Sequence, residues 1–447
     1  MTRKQQLTLL ATIVGSGIVI LDSTVVNLAL PKIAHNLHGS FADLQWIADG
    51  YLLSLSALIL LGGSLGDIFG RKKMYLTGLV GFGVMSLLCG LAPSTGALIA
   101  ARLLQGVFGA LLVPGGLAII NTNFPLAERS AAIGTWSAAS AVFAALGPLV
   151  GGYILDITSW RWIFLINVPL VIFCYAVGST NITEGKDTAV RRIDTKGAVL
   201  AMLSLAGITY GLIEGPTNHW QAKAIIAVVA GLLLAVVFVL AEKRSKDPMV
   251  PLKLFASRNF SGANLMTFGM YGALSAFLFS LVIYMQTTMH YSSIKAGLSL
   301  LPVTIMLTLF SRRVGVLAGK YGAKLFMTIG PWVAAAGILS LLHLGASSGY
   351  ATSVLPGVVL FAIGLTLIVA PLTTTVMTSV SDASSGIASG INNAVSRVAG
   401  LICVAILGLF GATHVFRFAI VLSTVLTVLA GLISFLTIRA PAVAKPE

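Results

Sequence analysis

The sequence predicts an all-α polytopic membrane protein of about fourteen transmembrane helices, and three observations predict it. Of 447 residues, 57% are hydrophobic and only 9% are charged, too few polar groups to clothe a water-facing globule. Runs of roughly 20 apolar residues, the length that crosses a hydrocarbon core about 30 Å thick, recur along the whole chain. The breaks between them are short and contain charges, Gly or Pro.

In chain order, the first six runs centre near Val19, Leu55, Val84, Phe108, Val142 and Phe173, and a pair follows near Leu205 and Leu233. Six more centre near Phe277, Met306, Ala336, Leu365, Ala399 and Val425. The opening Met-Thr-Arg-Lys-Gln-Gln leads straight into a run long enough to span, so it reads as a first helix and not as a cleaved signal peptide. An even number of spans puts both termini on one side. The two most polar stretches, Ser179 to Lys196 and Glu242 to Arg258, bracket the middle pair. The loop Gly63-Ser64-Leu65-Gly66-Asp67-Ile68-Phe69-Gly70-Arg71-Lys72, between runs two and three, recurs as Gly315-Val316-Leu317-Ala318-Gly319-Lys320-Tyr321-Gly322-Ala323-Lys324 between runs ten and eleven. The two copies share both glycines, the leucine and the final lysine. Such an internal repeat marks duplicated halves. The expected organisation is an amino-terminal six-helix half over 1–180, an inserted pair with cytoplasmic linkers over 181–258, and a carboxy-terminal six-helix half over 259–447.

Basic residues set the orientation. With the amino terminus cytoplasmic, inner loops and tails hold twenty-two of the 28 Lys and Arg, among them Arg71, Lys72, Lys73, Lys186, Arg191, Arg192, Lys243, Arg244 and Lys246. The outer loops hold only Lys32, Arg161, Lys223, Lys295 and Arg417. This scatter through short loops excludes nucleic acid as the partner of the +14 net charge. Cys89, Cys174 and Cys403 fall within spans, which argues against a disulfide or a zinc site. The six histidines, at 35, 38, 219, 290, 343 and 414, lie on or near outer loops, where exposure without function is the plain reading. No phosphate-cradling Gly-rich loop, metal-ligand cluster or nucleophile and base set stands out, so an enzyme is not expected.

Few charges lie within the spans. Asp22, in Leu21-Asp22-Ser23-Thr24-Val25-Val26-Asn27-Leu28-Ala29-Leu30-Pro31, is buried deeply enough that it takes up a proton unless a cation neutralises it, because an unpaired charge there costs several kcal/mol. Arg102, in Leu98-Ile99-Ala100-Ala101-Arg102-Leu103-Leu104-Gln105-Gly106, is the one basic residue inside the apolar layer and needs a partner. Asp22 and Asp49 are the acids at comparable depth. Snorkelling of Arg102 to the outer interface is the alternative. Asp49 itself, in Trp46-Ile47-Ala48-Asp49-Gly50-Tyr51, is either a second protonation site or an interfacial acid that stays hydrated. The glycines of Gly147-Pro148-Leu149-Val150-Gly151-Gly152 permit a kink and close helix packing. In the loop after run two, Gly63 and Gly70 allow close backbone approach, while Asp67 suits the positive end of a neighbouring helix.

The segments that hold Asp22, Gly63 to Arg71, Arg102 and Gly147 to Gly152, four in chain order, resemble the signatures of the fourteen-span drug:proton antiporter branch of the major facilitator superfamily, over essentially the whole chain. The resemblance implies two six-helix halves that rock in alternating access. It implies proton coupling through Asp22 and Arg102, with Asp49 as a further candidate in a position where relatives more often carry an uncharged residue. It also implies a conformational latch built from Gly63, Asp67, Gly70 and Arg71, meeting span thirteen near Asp382-Ala383-Ser384-Ser385-Gly386, and an antiporter motif at Gly147, Pro148, Gly151 and Gly152. The second loop copy departs from the pattern, with Gly319 where the first has Asp67, so the first copy alone can act as an acidic latch.

For the substrate cavity the sequence offers Asn27, Gln105, Tyr271, Phe277 and Tyr284, within an aromatic set that includes Phe268 and Phe279 with Gln286 near its outer end. Arg312 and Arg313, placed at the inner end of span ten, read as lipid headgroup anchors. The carboxyl half from Phe260 has only Asp382 and Glu447 as acids, so neutral or monocationic lipophilic substrates are expected over dications. The functional expectation is multidrug efflux driven by the proton gradient, without other cofactor, by a monomer in a bacterial inner membrane with both termini cytoplasmic. Its partners are a small lipophilic substrate, protons and membrane lipid. Export of an endogenous metabolite or lipid, and a transport-inactive receptor or scaffold, are the alternatives.

Overall fold

Thr2 opens the first helix with a capping box: its hydroxyl accepts from the Gln5 amide, and the Gln5 side chain accepts from the Thr2 amide. The chain is thus helical almost from its start in the computed structural model, which describes residues 1–185, 194–381 and 384–439. Among the described residues fourteen helices are long and apolar enough to cross a membrane. Spans one to six are Arg3–Leu37, Phe41–Phe69, Arg71–Gly90, Thr95–Asn123, Ala131–Ile157 and Trp162–Asn181, and spans seven and eight are Thr195–Thr217 and Ala222–Arg244. Spans nine to fourteen are Arg258–Thr287, Ser293–Tyr321, Ala323–His343, Tyr350–Thr378, Ser385–Leu407 and His414–Thr437. Lys186, Arg191, Arg192, Asp382, Ala383, Lys445 and Glu447 lie outside the described residues.

Caps define where spans begin. Ser40 and Asp43 form a second capping box ahead of span two, Ser94 caps span four, Asp194 accepts from the Gly197 amide at 2.8 Å, and Ser257 caps span nine. Between spans two and three the connection is the single residue Gly70, with φ of +115°. That conformation favours glycine.

The chain divides into two compact units: Met1–Met249 with Tyr291–Leu298, and Val250–His290 with Ser299–Glu447. In the first unit, span one packs on five and six, and span four packs on two and three. Spans two and four come so close that a Cβ on Gly62 would strike the Ala110 carbonyl, and one on Gly106 the Tyr51 carbonyl. Lipid is as apolar as a leucine side chain, so such close packing, rather than escape from water, holds the helices together. Ile18, Tyr51, Leu55, Tyr75, Leu79 and Phe82 fill the interior, and the Tyr75 hydroxyl donates to the Ala11 carbonyl at 2.9 Å.

The inserted pair belongs to this first unit. Spans seven and eight pack together where Ser204 donates to the Gly231 carbonyl at 2.8 Å. Span seven joins span two through Trp46, whose indole N–H donates to Glu214 at 2.8 Å. Span eight turns Ile226 and Leu233 outward, both more than half exposed, as a lipid-facing helix requires. Within the second unit, span nine packs on thirteen and fourteen, and spans eleven and twelve pair along Gly330, Gly337 and Gly364.

Candidate functional site

Asp22 and Arg102 meet in the interior of the first unit, each 1% exposed. The Arg102 guanidinium donates to Asp22 Oδ2 at 2.5 Å, to Gln105 Oε1 at 2.7 Å and, through Nε, to the Ile47 carbonyl of span two at 3.1 Å. Its plane lies 4.2 Å from the centre of the Tyr51 ring, a cation–π contact that needs no water. The other carboxylate oxygen, Asp22 Oδ1, accepts from Gln105 Nε2 and from Asn167 Nδ2, each at 3.1 Å. Both amides also donate to Ser86 Oγ, at 2.7 Å and 3.2 Å. Spans one, three, four and six thus each contribute a polar group to one closed network.

Helical spacing explains the pairing on span four. Arg102 and Gln105 are three residues apart and so lie on one face, with Gly106 beside them letting span two approach. Isolated, a buried Arg102 or Asp22 would cost several kcal/mol; together, with amides donating to the second carboxylate oxygen, the pair is neutral, and among the described residues Asn167 Oδ1 alone of the network's oxygens is left without a partner. Asn167 and Ser86 were not among the residues singled out from the sequence. The signal for Asn167 is an amide inside the apolar run Phe164-Leu165-Ile166-Asn167-Val168-Pro169, whereas a membrane serine such as Ser86 carries none.

Asp49 is in a different state. It is fully buried, and among the described residues neither carboxylate oxygen has a hydrogen-bond partner. This is not the setting of a hydrated interfacial acid. Arg102 reaches span two at the Ile47 carbonyl instead.

At the inner end, Asp67 Oδ1 accepts from Arg71 Nε at 2.9 Å and from a terminal nitrogen at 2.7 Å, while Arg71 also donates to Thr122 Oγ1 at 2.8 Å. Glu184, in the polar linker, caps span three by accepting from the Lys72 and Lys73 amides at 3.0 Å and 3.2 Å. A Cβ on Gly70 would lie 2.8 Å from that carboxyl group. Gly63 faces Pro114 of span four. Of the span-thirteen segment expected to meet Asp67, Asp382 and Ala383 lie outside the described residues.

Span five uses its glycines against two neighbours within the first unit. Cβ atoms on Gly147 and Gly151 would collide with Thr24 and Val25 of span one. One on Gly152 would lie 2.6 Å from Ile294 Cα, and Gly297 sits against the Pro148 carbonyl. One turn on, Asp156 accepts from the Ser293 and Ile294 amides, each at 3.0 Å, and pairs with Lys32 at 3.3 Å.

The remaining cavity candidates are dispersed. Asn27 is half-buried on span one, whereas Gln105 is fully buried in the network around Asp22. In the second unit Phe277 is fully buried with its ring 4.9 Å from that of Phe361, and Tyr271 is half-buried. Tyr284 stacks on Phe416 at 3.9 Å and donates to the Leu344 carbonyl at 2.8 Å. A separate polar cluster joins spans nine and thirteen, where Asn392 donates to Asn264 at 3.1 Å and to Thr267 at 2.7 Å.

Residues 12–404 match the family described as the Major Facilitator Superfamily. The tetracenomycin C resistance and export protein of Streptomyces glaucescens is 33% identical over 410 residues, 91% of this chain and 76% of that protein. The multidrug resistance protein Stp of Mycobacterium tuberculosis is 32% identical over the same shares. Among solved structures, a POT family transporter in complex with a thioalcohol-conjugated peptide superposes with a TM-score of 0.72 at 14% identity, covering 96% of this chain and 95% of that one. A bacterial homolog of the human lysosomal transporter Spinster, inward-facing and unoccupied, gives 0.70 at 14% identity, covering 98% and 97%.

Proposed function

This chain belongs to the Major Facilitator Superfamily, and from that premise we propose that it is a multidrug efflux transporter in which the Asp22 and Arg102 pair couples proton entry to export. The observation that carries the coupling is the fully buried contact of 2.5 Å between the two side chains. A proton arriving on Asp22 cancels its charge and weakens its hold on Arg102, which then leans on Gln105, the Ile47 carbonyl and the Tyr51 ring. Loss of one strong charge-assisted bond in a dry site amounts to a few kcal/mol. That is on the scale needed to bias a two-state alternation between inward and outward access.

Asp49 serves as a second proton site in this scheme. It is buried, and among the described residues neither of its carboxylate oxygens has a hydrogen-bond partner. Gly63, Asp67, Gly70 and Arg71 act as the cytoplasmic latch, and Gly147, Pro148, Gly151 and Gly152 hold span five close to its neighbours. Relatives are named for resistance to and export of antibiotics. We extend that to lipophilic small molecules here, neutral or monocationic. The proton gradient is the only cofactor invoked, the protein acts as a monomer in a bacterial inner membrane, and both termini are cytoplasmic.

The test is efflux from proteoliposomes with an imposed pH gradient. Wild-type protein exports a lipophilic dye and a protonophore abolishes the export. Asp22→Asn inserts and folds but does not respond to the gradient; gradient-driven export by Asp22→Asn at the wild-type rate overturns the assignment.

A further inference from the structure

Span thirteen exposes polar groups where lipid would meet aliphatic ones. Among the described residues it is the one span of the fourteen without an exposed large hydrophobic side chain. Its exposed residues are Gly386 and Asn393, and a Cβ on Gly386 would meet nothing within 4 Å. Ser389, Asn393 and Ser396 recur at i, i+4 and i+7 and so share one face of the helix, while Ala388 and Ile391 turn into the packing. Asn392 fixes this rotation, because its amide donates to Asn264 Oδ1 at 3.1 Å and to Thr267 Oγ1 at 2.7 Å on span nine.

The polar face lies deep. Ser385–Leu407 has 23 residues, about 34 Å at the helical rise and a few Å more than a hydrocarbon core about 30 Å thick. Asn393, eight residues from Ser385, is therefore about 10 Å below the edge of that core. Arg397 is twelve residues from one end and ten from the other, which roots it at mid-depth as a second basic residue in the apolar layer besides Arg102, and it is half-buried. An amide exposed to hydrocarbon gives up its bonds to water at a cost of several kcal/mol, and a guanidinium that stays protonated costs more. A face of Gly386, Ser389, Asn393 and Ser396 matches water, not lipid. From Ala399 to Leu407 the helix is buried or half-buried all round, so the wet face begins at the inner end and stops near mid-membrane.

We propose that this face of span thirteen lines a water-filled chamber open at the inner end of the second unit, and that Asn393, with Ser389 and Ser396 beside it, is a hydrogen-bonding subsite for the exported molecule. The subsite part rests on the efflux reading above. An amide and two hydroxyls both donate and accept without adding charge, so the class they take is uncharged amphiphiles bearing carbonyl and hydroxyl groups. Asn392 is a positioning residue, bonded to span nine and turning its neighbour outward.

The test has two arms. In a Cys-free background of the full chain, in inside-out membrane vesicles, Asn393→Cys should react with a charged, impermeant thiol reagent at least about tenfold faster than Leu265→Cys, because a thiol in water ionises and one in lipid does not. Leu265 is the control: it is 54% exposed and seven residues from the inner end of its own helix. Equal rates at the two positions overturn the chamber, whether or not anything is exported. Quinizarin, an uncharged anthraquinone with carbonyl and hydroxyl groups, should slow the reaction at position 393; labelling that it leaves unchanged overturns the subsite. The second arm is export from proteoliposomes with an imposed pH gradient, comparing quinizarin with pyrene, a hydrocarbon without hydrogen-bonding groups. Asn393→Ala should cut quinizarin export by about five- to tenfold, the loss of one hydrogen bond, and leave pyrene export within about twofold, whereas Asn393→Gln should retain most of both. Equal loss of both dyes in Asn393→Ala, or export of pyrene without quinizarin by wild-type protein, overturns the subsite and leaves efflux standing. Failure of wild-type protein to export either dye overturns efflux itself and the subsite with it.

Discussion

Arg102 on span four and Asp22 on span one form the one ion pair among the described residues in which both side chains are almost fully buried, at 2.5 Å and 1% exposure each. Neither charge is separable from the other. Removing Arg102 leaves a buried carboxylate, and removing Asp22 leaves a buried guanidinium. Arg102→Ala should therefore destabilise the protein by about 3–5 kcal/mol, and the double variant with Asp22→Asn should be more stable than Arg102→Ala alone. Thermal unfolding in detergent measures both. A double variant no better than the single one would show that the pair does not act as a unit.

Asn167 gives a prediction about stability. Its amide donates to Asp22 Oδ1 at 3.1 Å and to Ser86 Oγ at 3.2 Å. Asn167→Ala removes that donor, a loss of about 1 kcal/mol, read as a lower unfolding temperature in detergent. An unchanged unfolding temperature contradicts a role for Asn167 at the carboxylate.

Two glycines with opposite surroundings separate packing from chance. A Cβ at Gly147 collides with Thr24, whereas at Gly96 there is nothing within 4 Å. Gly147→Ala should cost about 1–3 kcal/mol through overpacking and depress export; Gly96→Ala should change neither stability nor export. Equal behaviour of the two in thermal unfolding would refute the close fit of span five on span one.

Asp156 binds the Ser293 and Ile294 amides and Lys32. Asp156→Ala should destabilise by about 1 kcal/mol, the scale of a lost helix cap, because the ion pair with Lys32 is partly exposed and adds little. Lys32→Ala should be nearly silent in the same unfolding assay. A larger loss from Lys32→Ala than from Asp156→Ala reverses this ranking.

Orientation is checked by labelling. In a Cys-free background, a cysteine at the exposed His219 should react with an impermeant thiol reagent in intact cells, and one at the exposed Lys246 should react only after lysis. The reverse pattern inverts the topology.

How far the sequence reached differs between charge and contact. Asp22 and Arg102 were legible as partners because an intramembrane charge is rare and must be compensated. Ser86 and Asn167 were not, since serine and asparagine are tolerated in membrane helices whether or not they bond to anything.

By itself the sequence determined the all-α class and the count of fourteen spans, since these follow from what lipid demands of any backbone that crosses it: runs of apolar residues long enough to span, with every peptide group bonded within its own helix. Only the tertiary structure decided that the inserted pair joins the first unit through Trp46 and Glu214, that Asp49 is sealed from solvent without a bond, and that Asn167 closes the shell around Asp22. The physical reason is that lipid offers no hydrophobic gradient to orient one apolar helix about its axis. Rotation and neighbour are chosen by close approach of small residues such as Gly62 and Gly106, and that complementarity belongs to pairs of surfaces rather than to any one stretch of chain.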